Sequence, residues 1–87
     1  MDVDTQKTTA LLDDLKPGQT AAVSGFLASG PEIARLKELG VCKGTRLRLV
    51  RFAPFGDPVE IKLRGYHLSI SKSLARLIEI EQEVEWQ

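Results

Sequence analysis

The chain has 87 residues, 43% of them hydrophobic and 28% charged, with Lys plus Arg and Asp plus Glu both totalling 12. That length holds one domain with one small core, burying about 60–65% of its unfolded surface, and the hydrophobic content excludes a disordered chain. The balanced charge excludes a global field favouring nucleic acid or an anionic membrane, and a single cysteine, Cys42, excludes an internal disulfide, so nothing points to export.

The N-terminal stretch MDVDTQKTTA is acidic and polar, without the basic start and apolar run of a leader peptide. The longest charge-free run, Pro17 to Pro31, is interrupted by Gly18, Gly25 and Gly30, far short of the roughly 20 apolar residues of a membrane span. The expected address is the cytoplasm. Residues 1–10 read as a tail, 11–82 as one domain and 83–87 as a second tail, with no internal repeat or low-complexity linker.

In chain order, Leu11, Leu12 and Leu15 precede a turn at Lys16-Pro17-Gly18-Gln19. Thr20 to Ala28 reads as the first strand, with Val23 and Phe26 inward and Gly25 marking a bulge or a close backbone approach. Ser29-Gly30-Pro31 opens a helix of about two turns, with proline at its first position and Glu32 complementing the dipole. Ile33, Leu36 and Leu39 recur every third residue and are expected to mark its buried face; Gly40 suits the left-handed position that ends it.

The remainder reads as β. In Arg46 to Phe52, Leu47 and Leu49 alternate with Arg46 and Arg48, and Val59, Ile61 and Leu63 alternate with Glu60, Lys62 and Arg64. Between them, Ala53-Pro54-Phe55-Gly56-Asp57-Pro58 forces a loop. A tight turn at Gly65-Tyr66 leads into a short strand, His67 to Ile70; Ser71 caps a single helical turn; Ile78 and Ile80 carry a last strand. The pattern predicts a mainly β fold, a small five-stranded barrel with one short inserted α-helix, whose closure hides the sheet edges.

The segments Leu15-Lys16-Pro17-Gly18 and Arg35 to Thr45, with a leucine-glycine helix end at Leu39-Gly40 and a second glycine at Gly44, resemble the FeoA family. The loop Ala53 to Pro58, the strand Val59 to Lys62 and the segment Gly65 to Lys72 are similar to that family's second half, so the resemblance covers about Leu11 to Glu81. It implies an SH3-like barrel and a cytosolic accessory that binds and modulates the membrane iron transporter FeoB at its cytosolic G-protein region. A homologous domain forms the C-terminal part of iron-dependent repressors, which implies the alternative of a stand-alone regulatory interaction domain. A whole repressor also requires a DNA-reading helix-turn-helix upstream, for which 87 residues leave no space.

The residues themselves offer little chemistry. Cys42 and His67 are the sole thiol and imidazole, and no spacing forces them together; a small core filler and an ordinary strand residue account for both. Without His-x-x-x-His or Cys-x-x-Cys spacing, and with Asp13, Asp14, Glu79, Glu81, Glu83 and Glu85 reading as solvated acids, no metal site is expected and a metal chaperone is disfavoured. Glycines occur singly, so no phosphate cradle is expected, no catalytic residue is assigned, and no cofactor. An arginine supplied in trans from Arg35, Arg51 or Arg64 is outweighed by the reading of each as a surface charge.

Partner binding requires exposed anchors. Phe55, on a loop stiffened by Pro54 and Pro58 and bent at Gly56, is the main candidate, with Asp57 holding the turn locally and Arg51, Glu60 and Lys62 as a polar rim. The competing reading has Phe55 folding back over the barrel end. Tyr66 in a predicted loop and Trp86 in the tail are further aromatic candidates. Arg46, Arg48, Lys62, Arg64 and Lys72 fall on outward strand faces, as a scattered solvated set or as a patch facing an acidic protein surface; without interleaved aromatics it does not suit nucleic acid. Self-association is left open.

Overall fold

The computed structural model describes residues 9–82. Six strands, β1 (Thr9–Leu11), β2 (Thr20–Phe26), β3 (Arg46–Phe52), β4 (Val59–Leu63), β5 (Tyr66–Ile70) and β6 (Ile78–Gln82), form one antiparallel sheet in the order β1-β6-β2-β3-β4-β5. Helix α1 (Pro31–Glu38) joins β2 to β3 and the single turn α2 (Lys72–Ala75) precedes β6. The sheet is therefore six-stranded, not five, and it does not close: β1 and β5 remain as edges. The extra strand is the three-residue β1, too short to show alternation, which exists because β6 offers it a free side (Ala10 opposite Ile80).

The core follows the alternation of the strands. Leu47, Leu49, Val59, Ile61, Leu63, Ile78 and Ile80 point inward and are buried, joined by Leu12 and Leu15 from the segment after β1 and by Ile33 and Leu36 from α1. Each such side chain contributes about 1.5–3 kcal/mol on burial. Two register shifts interrupt the ladder, one between Val23 and Gly25 against β6 and one between Leu49 and Arg51 against β4. The first is the irregularity expected at Gly25, where an added Cβ would lie 3.0 Å from Glu79 Oε1. The second turns Arg51 outward, opposite Glu60, while Phe52 still packs against the core.

Two expectations about local structure need correction. Leu39 is not part of the buried helix face but 36% exposed, because a repeat of three drifts about 60° round an α-helix at each step. Tyr66 does not lie in the turn: it opens β5 opposite Leu63, and the two-residue turn is Arg64-Gly65, with φ of 50° and 85°. Positive φ at both central residues is what a tight hairpin with the natural strand twist demands.

Helix α1 ends as its sequence requires. Gly40, at φ 106°, donates to the Lys37 carbonyl (3.0 Å), and Val41 donates to the Leu36 carbonyl (2.9 Å), the paired bonds of a Schellman motif. Val41 and Leu36 are both buried in the core, and the Thr45 hydroxyl donates to the Gly40 carbonyl at 2.9 Å. A Cβ at Gly40 would lie 3.1 Å from the Tyr66 Oη. Gly40→Val therefore combines backbone strain with crowding and is expected to cost about 2 kcal/mol or more. An unchanged melting temperature in this variant would contradict the assignment.

Candidate functional site

The loop between β3 and β4 projects from one end of the sheet. Its root is closed by a bond from the Ala53 N–H to the Pro58 carbonyl (3.0 Å), and its tip by one from the Gly56 N–H to the Ala53 carbonyl (2.6 Å). Gly56 has φ 86°, and Asp57-Pro58 is a cis peptide. The sequence places two phenylalanines three residues apart here, and they have opposite fates. Phe52 keeps ladder register opposite Val59 and packs on the core; Phe55 lies past the ladder and is 99% exposed. The fold-back reading is thus excluded: Phe52 occupies the position over the core.

Asp57 holds the loop by a longer reach than the local turn bond expected from sequence. Its Oδ1 accepts from the Lys72 N–H at 3.0 Å, tying the loop to the first residue of α2. Ser71 caps the same turn, accepting from the Leu74 N–H (3.2 Å). Pro54, Phe55 and Asp57 are therefore presented together, and Arg51 stands at the loop root, 3.9 Å from Glu60. Lys62 does not join them. It lies two residues farther along β4, opposite Arg48 on β3 and His67 on β5.

The outward basic residues do converge on the sheet: Arg46, Arg48, Lys62 and Arg64 line one shallow groove on β3 and β4. Lys72 is apart from them, over the loop near Gly56. Sequence reasoning missed a second feature, a cleft of about 230 Å³ between α1, β5 and α2, lined among others by Leu36, Leu39, Leu68, Ile70 and Leu74. The signal was present in the drift of Leu39 off the helix face. Leu27, 54% exposed just after β2, was also missed.

Other candidates have structural partners. Asp14 accepts from the Leu11 N–H (3.0 Å), and Asp13 pairs with Arg76 at 3.2 Å. The half-buried Cys42 thiol donates to the Lys37 carbonyl (3.4 Å), and no hydrogen bond joins it to the exposed His67. Among the described residues no three His, Cys, Asp or Glu side chains are grouped to hold a metal ion. Among the described residues no helix is long and apolar enough to cross a membrane. Trp86, Glu83 and Glu85 lie outside the described residues.

The Asp57 bond makes a separable contribution. Asp57→Ala is expected to cost about 1 kcal/mol, as for loss of a side-chain acceptor at a helix start, and to speed hydrogen exchange of the Lys72 amide, with Asp57→Asn restoring part of both. Thermal melts and amide exchange on the two variants check this.

The chain is similar to several solved structures. The FeoA protein from Chlorobium tepidum is 32% identical with a TM-score of 0.83, over 90% of this chain and 74% of that one. A FeoA-like protein from Clostridium acetobutylicum is 29% identical with a TM-score of 0.81, over 95% of both chains. The IdeR protein of T. acidophilum shares the fold at 19% identity and a TM-score of 0.79, with 94% of this chain matching 37% of that one. The model of the FeoA domain matches residues 10–82, and with that match the chain belongs to the FeoA domain family, whose role is in ferrous iron transport.

Proposed function

We propose that this chain is a cytosolic accessory of a ferrous iron transport system, which binds the cytosolic G-protein region of a FeoB-type transporter and modulates it. Family membership supports the iron-transport context. The observation that carries the binding role is Phe55, 99% exposed on a loop fixed at root, tip and flank by three hydrogen bonds. An aromatic side chain left in water on a braced loop loses little entropy on docking and gains its full burial there. Pro54 and Asp57 shape the anchor, Arg51 supplies polar rim, and Lys62 extends the contact along β4. The chain acts by contact rather than by turnover. A second reading, a regulatory interaction domain, is favoured by the shared fold with IdeR.

Phe55→Ala is expected to weaken binding to the purified cytosolic region of a FeoB-type transporter by about 1–3 kcal/mol, roughly 5- to 150-fold in Kd, with a smaller loss of stability. A large drop in melting temperature with unchanged affinity would reject the loop as the contact.

Iron is cargo of the system rather than a ligand held by this chain. Anaerobic calorimetry is expected to show ferrous binding with a Kd on the order of tens of micromolar or weaker, for want of a grouped ligand set among the described residues. A stoichiometric sub-micromolar site would make the chain a metal carrier instead.

A further inference from the structure

Beyond the exposed loop, the outward face of the sheet carries an unusual charge arrangement. Arg48 on β3 stands directly opposite Lys62 on β4, and Lys62 directly opposite His67 on β5. Like charges facing each other across strands destabilise a sheet, and among the described residues neither Arg48 nor Lys62 has a carboxylate within salt-bridge distance. Among the described residues, the carboxylates of this face lie at its margins. Glu60 is taken up with Arg51, and Glu81 stands on β6 beyond Ala22. In a chain with equal numbers of acidic and basic residues, a solvated, scattered face would interleave the two signs here.

The surroundings keep the two cations accessible. On β2 the residues beside β3 are small: Thr20 opposite Arg48, and Ala22 opposite Arg46. The result is an open groove, with Arg46 and Arg64 completing its lining. The Arg64 stem runs towards Gly40 at the end of α1, so that residue has a structural duty as well.

We infer that this groove is a docking strip for an acidic protein segment, one that presents carboxylates at alternate positions of an extended chain. Three features select this occupant. Arg46 and Arg48 stand two residues apart on β3, about 6.8 Å, which is also the repeat of alternate side chains on an extended partner, and Lys62 stands beside Arg48 on β4. Strands β3 and β4 are each paired on both sides, so their backbone N–H groups are spent in the ladder and form no nest for a phosphate. The outward row Thr20, Arg48, Lys62, His67 contains no Phe, Tyr or Trp, so it offers no platform for stacked bases. The inference rests on the reading of the chain as a protein-binding accessory, and it supplies the chemistry of the partner.

The test uses the full chain, a synthetic peptide of alternating glutamate and serine, its glutamine-serine counterpart, inorganic phosphate and GTP. The glutamate peptide is expected to shift the amide resonances of Arg48, Lys62 and their neighbours, and the glutamine peptide to leave them unmoved. Arg48→Glu is expected to weaken glutamate-peptide binding at least fivefold while leaving the melting temperature unchanged or higher, since it replaces a cation pair by an ion pair. Phe55→Ala is expected to retain peptide binding. Equal peptide affinity in Arg48→Glu, or shifts mapping elsewhere, would overturn the proposal; so would phosphate or GTP displacing the peptide at matched charge, which would make the groove a small-anion site. Peptide binding as expected, together with no affinity for the FeoB region in any variant, would keep the acidic-segment strip and reject the transporter reading alone.

Discussion

The pairing of β2 with β6 is the constraint on which the other elements depend. Val23 faces Ile80 and Phe26 faces Ile78, so the last described strand is inserted between the first two rather than added at an edge. Joining segments more than fifty residues apart costs about 3–4 kcal/mol in loop-closure entropy. Burial of Val23, Ile78 and Ile80, at about 1.5–3 kcal/mol each, offsets it. Without β6 in place, β1 has no partner, and the buried Leu12 and Leu15 that follow it lose the wall they close. The Gly25 bulge is part of the same fit, since it gives Glu79 room where a side chain would press on its carboxylate.

Insertion of β6 leaves the sheet open, and the open ends are kept short. The edges are three residues at β1 and five at β5, a common way of limiting adventitious pairing. The β3–β4–β5 portion, by contrast, is built from local hairpins, with a six-residue loop and a two-residue turn. Local hairpins tolerate what the long-range pairing does not. A loop past the end of the ladder can carry an exposed aromatic and two prolines without disturbing any core contact, which is why Phe55 and Phe52 differ so sharply in exposure.

Much of this was legible in the sequence because burial there is one-sided. Leu47 and Leu49, then Val59, Ile61 and Leu63, alternate strictly and fixed the faces of β3 and β4. Proline at 31 and glycine at 40 bounded α1, and Ser71 marked the cap of α2, since each position needs that residue's particular backbone or side-chain property. Three features were not legible. Strand β1 has only Ala10 and Leu11 to show after its first residue and is defined by its partner. Closure of the barrel depends on whether two edges meet, which no local pattern encodes. Asp57 was read as a turn residue because sequence shows only near neighbours, whereas its partner is the amide of Lys72 across the fold. At the candidate site, Phe55 is exposed on the loop and Arg51 stands at its root, whereas Lys62 lies two residues farther along β4, between Arg48 and His67.

The loop and the groove also differ in the range of the forces they use. An exposed phenylalanine acts only on contact, because apolar burial is short-ranged and carries no preferred direction. Its immediate surroundings add little guidance: Arg51 and Glu60 neutralise each other at the loop root, and Asp57 is committed to Lys72. Arg48 and Lys62 act over about 8 Å at physiological salt, and Lys62 is a two-residue step, about 6.8 Å, beyond Glu60 on the same face. Groove and loop are therefore close enough for one partner to engage both. Charge on the strands would orient a partner on approach and chiefly raise its rate of association, whereas the aromatic would slow its departure. The two surfaces differ accordingly in their support: the cations sit on the paired strands of the sheet, which fix their spacing, and Phe55 sits on a braced loop beyond it.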